Sequence, residues 1–357
     1  MIKKVIIENF KCIEKEELEF RNLTILTGEN SSGKSSVIQA ILLAGNHPHL
    51  IATPFNSDLR QYLISLGDTN SLVNKYRNAK EYYIKVEIDN SNPIELKVSK
   101  VDSNTTNLGI GQFSFPNPLT YPNNLTYLNA DRDKIRNISP LIKELKNLRY
   151  FQIDGKLTAG YYYLNKTNRL EDYLIKDQSE YTLEAQVNFW LKEITGMENI
   201  ELKTEEIGSA EVKSFYNIGE LTFSPENVGT GVSYLVSILV ACLSAKKGNI
   251  IIIENPEIHL HPKSQAKLGE FFAFVASKGI QVIIETHNDH IINRICYEEF
   301  IGNLKSEEVV IYYKKDFSSS FEKIDVKKGK FYNSRGENRF PEGFFDATLK
   351  EIFEING

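Results

Sequence analysis

A chain of 357 residues with a formal charge of −5 can bury a large core, and it carries no global basic field of the kind that advertises nucleic acid. Its apolar share of 41% and charged share of 25% are ordinary for a globular protein and exclude a disordered or collagen-like chain. The three cysteines, Cys12, Cys242 and Cys296, lie far apart without a C-x-x-C pair, which argues against a zinc ribbon, a zinc hook or a dithiol redox motif and fits a reducing compartment.

Met1 leads directly into Ile2-Lys3-Lys4-Val5-Ile6-Ile7, a strand pattern and not a signal peptide. A cytoplasmic location is therefore expected. Val5–Ile7 and Leu18–Phe20 read as a β-hairpin feeding a third strand, Leu23–Leu26. That strand runs into Gly28-Glu29-Asn30-Ser31-Ser32-Gly33-Lys34-Ser35-Ser36, which fits G-x-x-x-x-G-K-S, and a helical pattern follows from Ser36 to Leu43. Strand, glycine-rich turn and helix start in this order predict a phosphate-binding P-loop. The glycines admit backbone angles closed to other residues, and the loop N–H groups with the helix dipole face one anion. Lys34 is expected to place its charge on the outer phosphates, and the Ser35 hydroxyl is expected to ligate Mg²⁺. ATP and Mg²⁺ are the cofactors this predicts.

Asn46-His47-Pro48 interrupts the helix, and residues 57–80 read as a mixed helical segment. Alternation predicts strands over 82–88 and 94–98, joined by the turn Asp89–Pro93, and a further strand over Leu125–Leu128. Residues 138–224 then change character. Helical periodicity around 139–150 and 180–195, with no sustained heptad seam, predicts an inserted, mostly helical subdomain. The chain accordingly divides into 1–137, the P-loop half of a core with an N-terminal antiparallel β lobe; 138–224, the insertion; and 225–357, the returning core. Val232–Ala245 reads as an apolar helix after the turn Asn227–Gly231. Its apolar run is too short to span a bilayer. Ile250–Ile253 and Ile280–Ile284 read as fully buried strands around a helix over Pro262–Ser277, with late edge strands at Val309–Tyr313 and Glu322–Val326. The fold class is α/β with a mixed, largely parallel sheet.

In a P-loop enzyme the remaining chemistry gathers at strand C-termini. Glu254, ending the Ile250–Ile253 run, is placed to hold Mg²⁺ directly or through water. An ordinary acid before the Pro256 turn would look the same; the P-loop upstream favours the metal role. His287, after Ile280–Ile284, can sense the γ-phosphate or position water, where a lone His is otherwise a capping or core residue. Glu257, His259, His261, His287 and His290 have the residue types of a transition-metal site, but Glu-x-His-x-His on a loop is a weak zinc pattern.

These motifs in this order resemble ABC-type ATPases of the RecF/SMC kind. The run Ile6-Ile7-Glu8-Asn9-Phe10-Lys11 is similar to their opening strand and turn. More narrowly the chain resembles small, coil-free prokaryotic members related to the ATPase parts of the overcoming-lysogenisation-defect and Septu anti-phage proteins. Tyr127–Arg132, Ser224–Gly231, Ile253–Pro262, Glu285–His290 and the tail Pro341–Asp346 carry that likeness.

The resemblance implies an ABC-ATPase-type fold and a head-to-head homodimer or higher homo-oligomer. In it, Gly229 and Gly231 of one subunit close the nucleotide site of the other, although the usual L-S-G-G-Q wording is absent and a plain helix-capping turn competes with this role. Arg132 falls where such proteins couple nucleotide to a variable lobe, and it is counted with the nucleotide-binding residues. The general base of the family is a Glu directly after the Walker B acid, and here that position is Asn255. Asn orients water but takes up no proton near neutral pH. Either Glu257 substitutes as base, or turnover is slow and nucleotide acts as a dimerisation switch.

The expected function is thus a slowly hydrolysing ATPase that switches a separate effector, such as a nuclease, in anti-phage defence or genome maintenance. The alternatives are a RecF-like DNA-repair ATPase and a non-hydrolysing ATP sensor. Lys134, Arg136, Lys143, Lys146 and Arg149, and the hairpin tip Lys327-Lys328-Gly329-Lys330, are the candidate DNA contacts, against the commoner reading of solvated charged faces. No membrane partner is expected.

Overall fold

A computed structural model describes residues 1–51, 66, 69–99, 119, 122 and 124–341. Most of the predicted segment 57–80 before Thr69 and the tail after Pro341 lie outside them. In chain order the elements begin with β1 (Ile2–Phe10), β2 (Ile13–Glu19), β3 (Leu23–Gly28), α1 (Lys34–Ile51) and α2 (Thr69–Leu72). Next come β4 (Glu81–Ile88), β5 (Ile94–Ser99), β6 (Leu125–Leu128), β7 (Ile138–Pro140), α3 (Thr158–Asn165) and α4 (Leu183–Thr195). They continue with β8 (Ile200–Ile207), β9 (Glu211–Ile218), β10 (Leu221–Phe223), α5 (Thr230–Leu243), β11 (Ile250–Glu254) and α6 (Pro262–Ser277). The last are β12 (Gln281–Glu285), α7 (Asp289–Phe300), β13 (Val309–Lys314), β14 (Glu322–Lys327) and β15 (Lys330–Asn333). The chain forms two compact units, one of residues 1–125, 309–326 and 330–357, the other of residues 126–308 and 327–329.

In the first unit an antiparallel sheet runs β2-β1-β4-β5. Strict alternation of buried and half-exposed residues along β4 turns Tyr82, Ile84, Val86 and Ile88 to one face, where Tyr82 meets Phe10 edge-on at 5.3 Å. The same unit holds the strand order β15-β14-β13-β3, in which β3 pairs in parallel with β13 and β14 returns antiparallel. β13 is therefore interior, not the edge strand expected from the sequence, and all six of its residues are buried.

In the second unit β11 and β12 pair in parallel, Ile250 beside Gln281 through Glu254 beside Glu285, with β6 on the far side of β11. The four consecutive isoleucines of β11 are buried on both faces, as such strands must be. α4 packs on α6 through Trp190, whose ring meets Phe271 at 4.9 Å. The segment 138–224 is not mostly helical. It contains α3 and α4, but β9 pairs with β7, β8 and β10 in an antiparallel sheet, and the helix expected over 139–150 is only a short 3₁₀ turn at Lys143–Leu145. The 180–195 expectation is met by α4, which Thr182 caps through its hydroxyl and Gly196 ends in the left-handed conformation.

Candidate nucleotide site

The first group of candidate residues, within the first unit, is the loop between β3 and α1. Every residue of β3 is buried, so the loop leaves a fixed strand end. Gly28 and Gly33 have φ of +130° and +111°. A Cβ on Gly28 would lie 2.0 Å from the Lys314 carbonyl oxygen, and one on Gly33 would lie 2.5 Å from Cys12 Sγ. Both positions thus require glycine for conformation and for space. Glu29 N–H donates to the Lys314 carbonyl at 3.1 Å, which fastens the loop entrance to β13. Lys34 is 2% exposed, and its ammonium donates to the carbonyls of Gly28 (3.1 Å) and Glu29 (2.6 Å). Glu29, Asn30 and Ser31 are exposed, Ser35 is half-buried, and Ser32 and Ser36 are buried. Among the described residues the buried Ser32 hydroxyl has no partner, an orphan that fits a loop built to receive a polar ligand. The loop therefore fits a nucleotide phosphate.

A second group of candidate residues lies within the second unit, at the ends of β6, β11 and β12. Glu254 closes β11. Its Oε2 accepts from Ala130 N–H at 3.3 Å, and the Tyr127 hydroxyl also donates to it. Burial is the main cause that raises its pKa above the usual carboxylate range; the Tyr127 and Ala130 hydrogen bonds oppose it. The sign follows directly. The folded chain holds this proton more tightly than the unfolded chain, so stability gains on acidification through the interval between the two values. A metal needs the deprotonated form. Affinity for Mg²⁺·ATP is accordingly expected to fall on acidification at a pH above the ordinary glutamate range; calorimetric titration from pH 8 to pH 5 measures this, and a flat profile would discard Glu254 as the metal residue.

Arg132 is 1% exposed, and the charges of Glu257 and Glu254 only partly offset the cost of burying its own. It donates to the backbone carbonyls of Glu254 (2.7 Å), Asn255 (2.9 Å) and Asn129 (3.1 Å), and burial lowers its pKa to about 10. It is a brace for the β11 terminus. Asn255 sits at φ +43°, a conformation Asn tolerates better than most, with its N–H on the Glu285 carbonyl at 2.8 Å and a buried side-chain oxygen that has no partner among the described residues. Glu257 Oε1 accepts from His287 N–H at 3.1 Å and the Thr286 hydroxyl also donates to the carboxylate, whereas Oε2 is buried without a partner among the described residues; burial is again the main cause raising its pKa. Asn255, Glu257 and His287 are thus brought together, with His287 exposed. Among the described residues no group of three His, Cys, Asp or Glu could hold a metal, so Glu257, His259, His261, His287 and His290 form no zinc cluster there. His261 instead caps α6, its Nδ1 accepting from Lys263 N–H.

The two glycines of the turn before α5 differ. A Cβ on Gly231 would meet the His259 carbonyl oxygen at 2.3 Å, whereas nothing among the described residues lies within 4 Å of one on Gly229, which is exposed. Of the basic residues, Arg149 is committed to Ser244, Asn249 and the Ala241 carbonyl, and Arg136 and Lys143 pair with Asp133 and Glu206. Lys328 and Gly329, both at positive φ, form the expected hairpin tip. Among the described residues no helix is long and apolar enough to cross a membrane.

Sequence reasoning missed Tyr127, Lys314 and Cys12. The first had a signal in its place at the end of a strand two residues before Asn129. The other two had none, because only the fold brings them to the loop.

The profile of the family described as AAA ATPase domain matches residues 1–195 and 162–292. No curated protein matches the chain. The crystal structure of an Smc head bound to the C-winged helix domain of ScpA is similar with a TM-score of 0.57 at 15% identity, over 92% of this chain and 98% of that one. An Smc head with an extended coiled coil, bound to the C-terminal domain of ScpA derived from Pyrococcus furiosus, gives 0.52 at 13% identity, over 100% and 99%. The architecture is that of SMC heads, the ABC-ATPase-type P-loop fold.

Proposed function

The chain belongs to the AAA ATPase domain family, and on that premise we propose that it binds Mg²⁺·ATP and dimerises around it. It hydrolyses the nucleotide slowly and so switches a separate effector protein in prokaryotic anti-phage defence or genome maintenance. The observation that supports nucleotide binding is the pair of glycines that only a bare backbone can occupy, flanking a loop whose lysine is folded back on its own carbonyls. When nucleotide is bound, Lys34 and the loop N–H groups hold its phosphates, Ser35 and Glu254 hold the Mg²⁺, and the metal screens the phosphate charge. Asn255 orients water, Glu257 takes its proton, and Arg132 keeps the strand end that carries them in place.

The solved head that is bound to a domain of ScpA supports a protein partner for this chain too. Nucleotide-dependent association, read by sedimentation with ATP and with ADP together with phosphate release, tests the reading. A monomer under all conditions would overturn the switch.

The turn before α5 supplies a separate check. Gly231→Ala should lower unfolding free energy by about 1–3 kcal/mol through its clash with the His259 carbonyl. Gly229→Ala should leave stability unchanged and weaken ATP-dependent dimerisation. Denaturant melts and sedimentation of both variants decide this, and an unaffected dimer in Gly229→Ala would leave the turn as a plain helix cap.

A further inference from the structure

Beside the phosphate loop the first unit holds a cavity of about 330 Å³, lined among others by Cys12, Glu16, Tyr76, Lys314 and Phe317. We propose that this cavity takes the nucleoside half of the nucleotide, with Tyr76 and Phe317 as the stacking residues that set the preference for a purine. The inference rests on the nucleotide reading above and adds which residues of this chain choose the base.

Two residues that line the cavity also touch the phosphate loop. Cys12 Sγ is 3.8 Å from the Ser32 carbonyl oxygen and from Ser36 Oγ. The Lys314 carbonyl accepts from Glu29 N–H, and its backbone fills the space next to Gly28. A nucleotide whose phosphates occupy the loop therefore has this cavity at its edge. The volume is of the size that small-molecule sites use.

The aromatic pair is the second observation. The rings of Tyr76 and Phe317 stack with centroids 5.3 Å apart and planes 29° from parallel, yet the residues are 75% and 50% exposed. Two large rings held in water, not buried, have an unused flat face. Each is presented by a turn that its neighbours fix. Asn74, 2% exposed, accepts from Arg77 N–H at 3.1 Å and donates its own N–H to the Asn9 carbonyl, which sets the turn carrying Tyr76. Asp316 accepts from the N–H groups of Ser318 (2.8 Å) and Ser319 (2.7 Å) and from the Ser318 hydroxyl, which sets the turn carrying Phe317. The floor is polar. Lys314, 2% exposed, donates to the Ser319 carbonyl and faces Glu16 at 4.0 Å, and Glu16 accepts from Phe321 N–H. A preset aromatic face above a fixed polar floor suits a flat heterocycle with hydrogen-bonding edges, and a purine covers more of the ring face than a pyrimidine does.

The test is calorimetry on the full chain with Mg²⁺ and four probes: ATP, GTP, CTP and inorganic tripolyphosphate. The wild-type chain should bind a purine nucleotide more tightly than CTP or tripolyphosphate. Phe317→Ala and Tyr76→Ala should each weaken purine nucleotide binding by about 5–150-fold, the worth of one stacked base, and leave tripolyphosphate affinity unchanged. Phe317→Tyr and Tyr76→Phe should restore purine binding. Equal wild-type affinity for ATP and tripolyphosphate would overturn the proposal while leaving the phosphate loop intact, as would alanine variants that bind ATP normally or lose both probes equally. A wild-type chain that binds none of the four would overturn the nucleotide reading itself.

Discussion

Lys34→Ala is expected to weaken ATP binding by about two orders of magnitude or more. The ammonium now satisfies itself on the carbonyls of Gly28 and Glu29, at 3.1 and 2.6 Å, within a loop that leaves it 2% exposed. A phosphate offers it charge-assisted bonds in the same place, each worth about 1.5–3 kcal/mol, and two such bonds correspond to roughly 10²–10⁴ in affinity. Calorimetry on wild type and variant measures this, with a thermal melt to show that the variant is folded. The variant should still fold, because the loop keeps its fastening to β13 through the Glu29 N–H bond to the Lys314 carbonyl. An unchanged dissociation constant in a folded variant would remove the P-loop from the account.

The second large effect concerns turnover. Asn255→Glu is expected to raise the rate of phosphate release about 10²–10⁴-fold, the usual worth of a positioned base. The gain should come with a small loss of stability, since Asn255 occupies a left-handed conformation that costs a longer side chain about 1–2 kcal/mol. Glu257→Gln should move the other way and abolish most of the residual wild-type turnover. Glu257 lies next to His287, with one oxygen engaged by His287 N–H and the Thr286 hydroxyl hydrogen-bonded to the carboxylate, and with Oε2 buried without a partner among the described residues. Burial holds its proton to a higher pH than usual, so the wild-type rate should decline on acidification above the ordinary glutamate range and recover as the carboxylate forms. Single-turnover phosphate release across pH checks both variants. A wild-type rate that survives Glu257→Gln and does not rise in Asn255→Glu would exclude both residues from the chemistry.

The strand before Gly28, the helix after Ser35 and the all-isoleucine strand before Glu254 were legible because each is a contiguous pattern whose physics is local. The antiparallel sheet inside 138–224 was not. Along β8 and β9 the inward positions include Thr204 at 5% exposure and Ser214 at 0%, so polar residues interrupt the alternation that would have announced two strands. Tyrosines and charges near 139–150 meanwhile matched a helical period that Pro140, set within β7, does not support. The interior place of β13 was hidden for a different reason: a strand's neighbours are chosen by topology, and nothing near Val309 in sequence points to Leu23. The same holds for Lys314, which closes the phosphate loop from the far end of the chain.

One detail of the β11–β12 ladder reaches further. The in-step alignment that puts Glu254 beside Glu285 gives neighbouring strands two acids at a single tip, and the first of them clings to its hydrogen ion. On the proposal that Glu254 holds magnesium, protons and the metal would compete for the same carboxylate, so nucleotide binding should weaken as the solution is acidified.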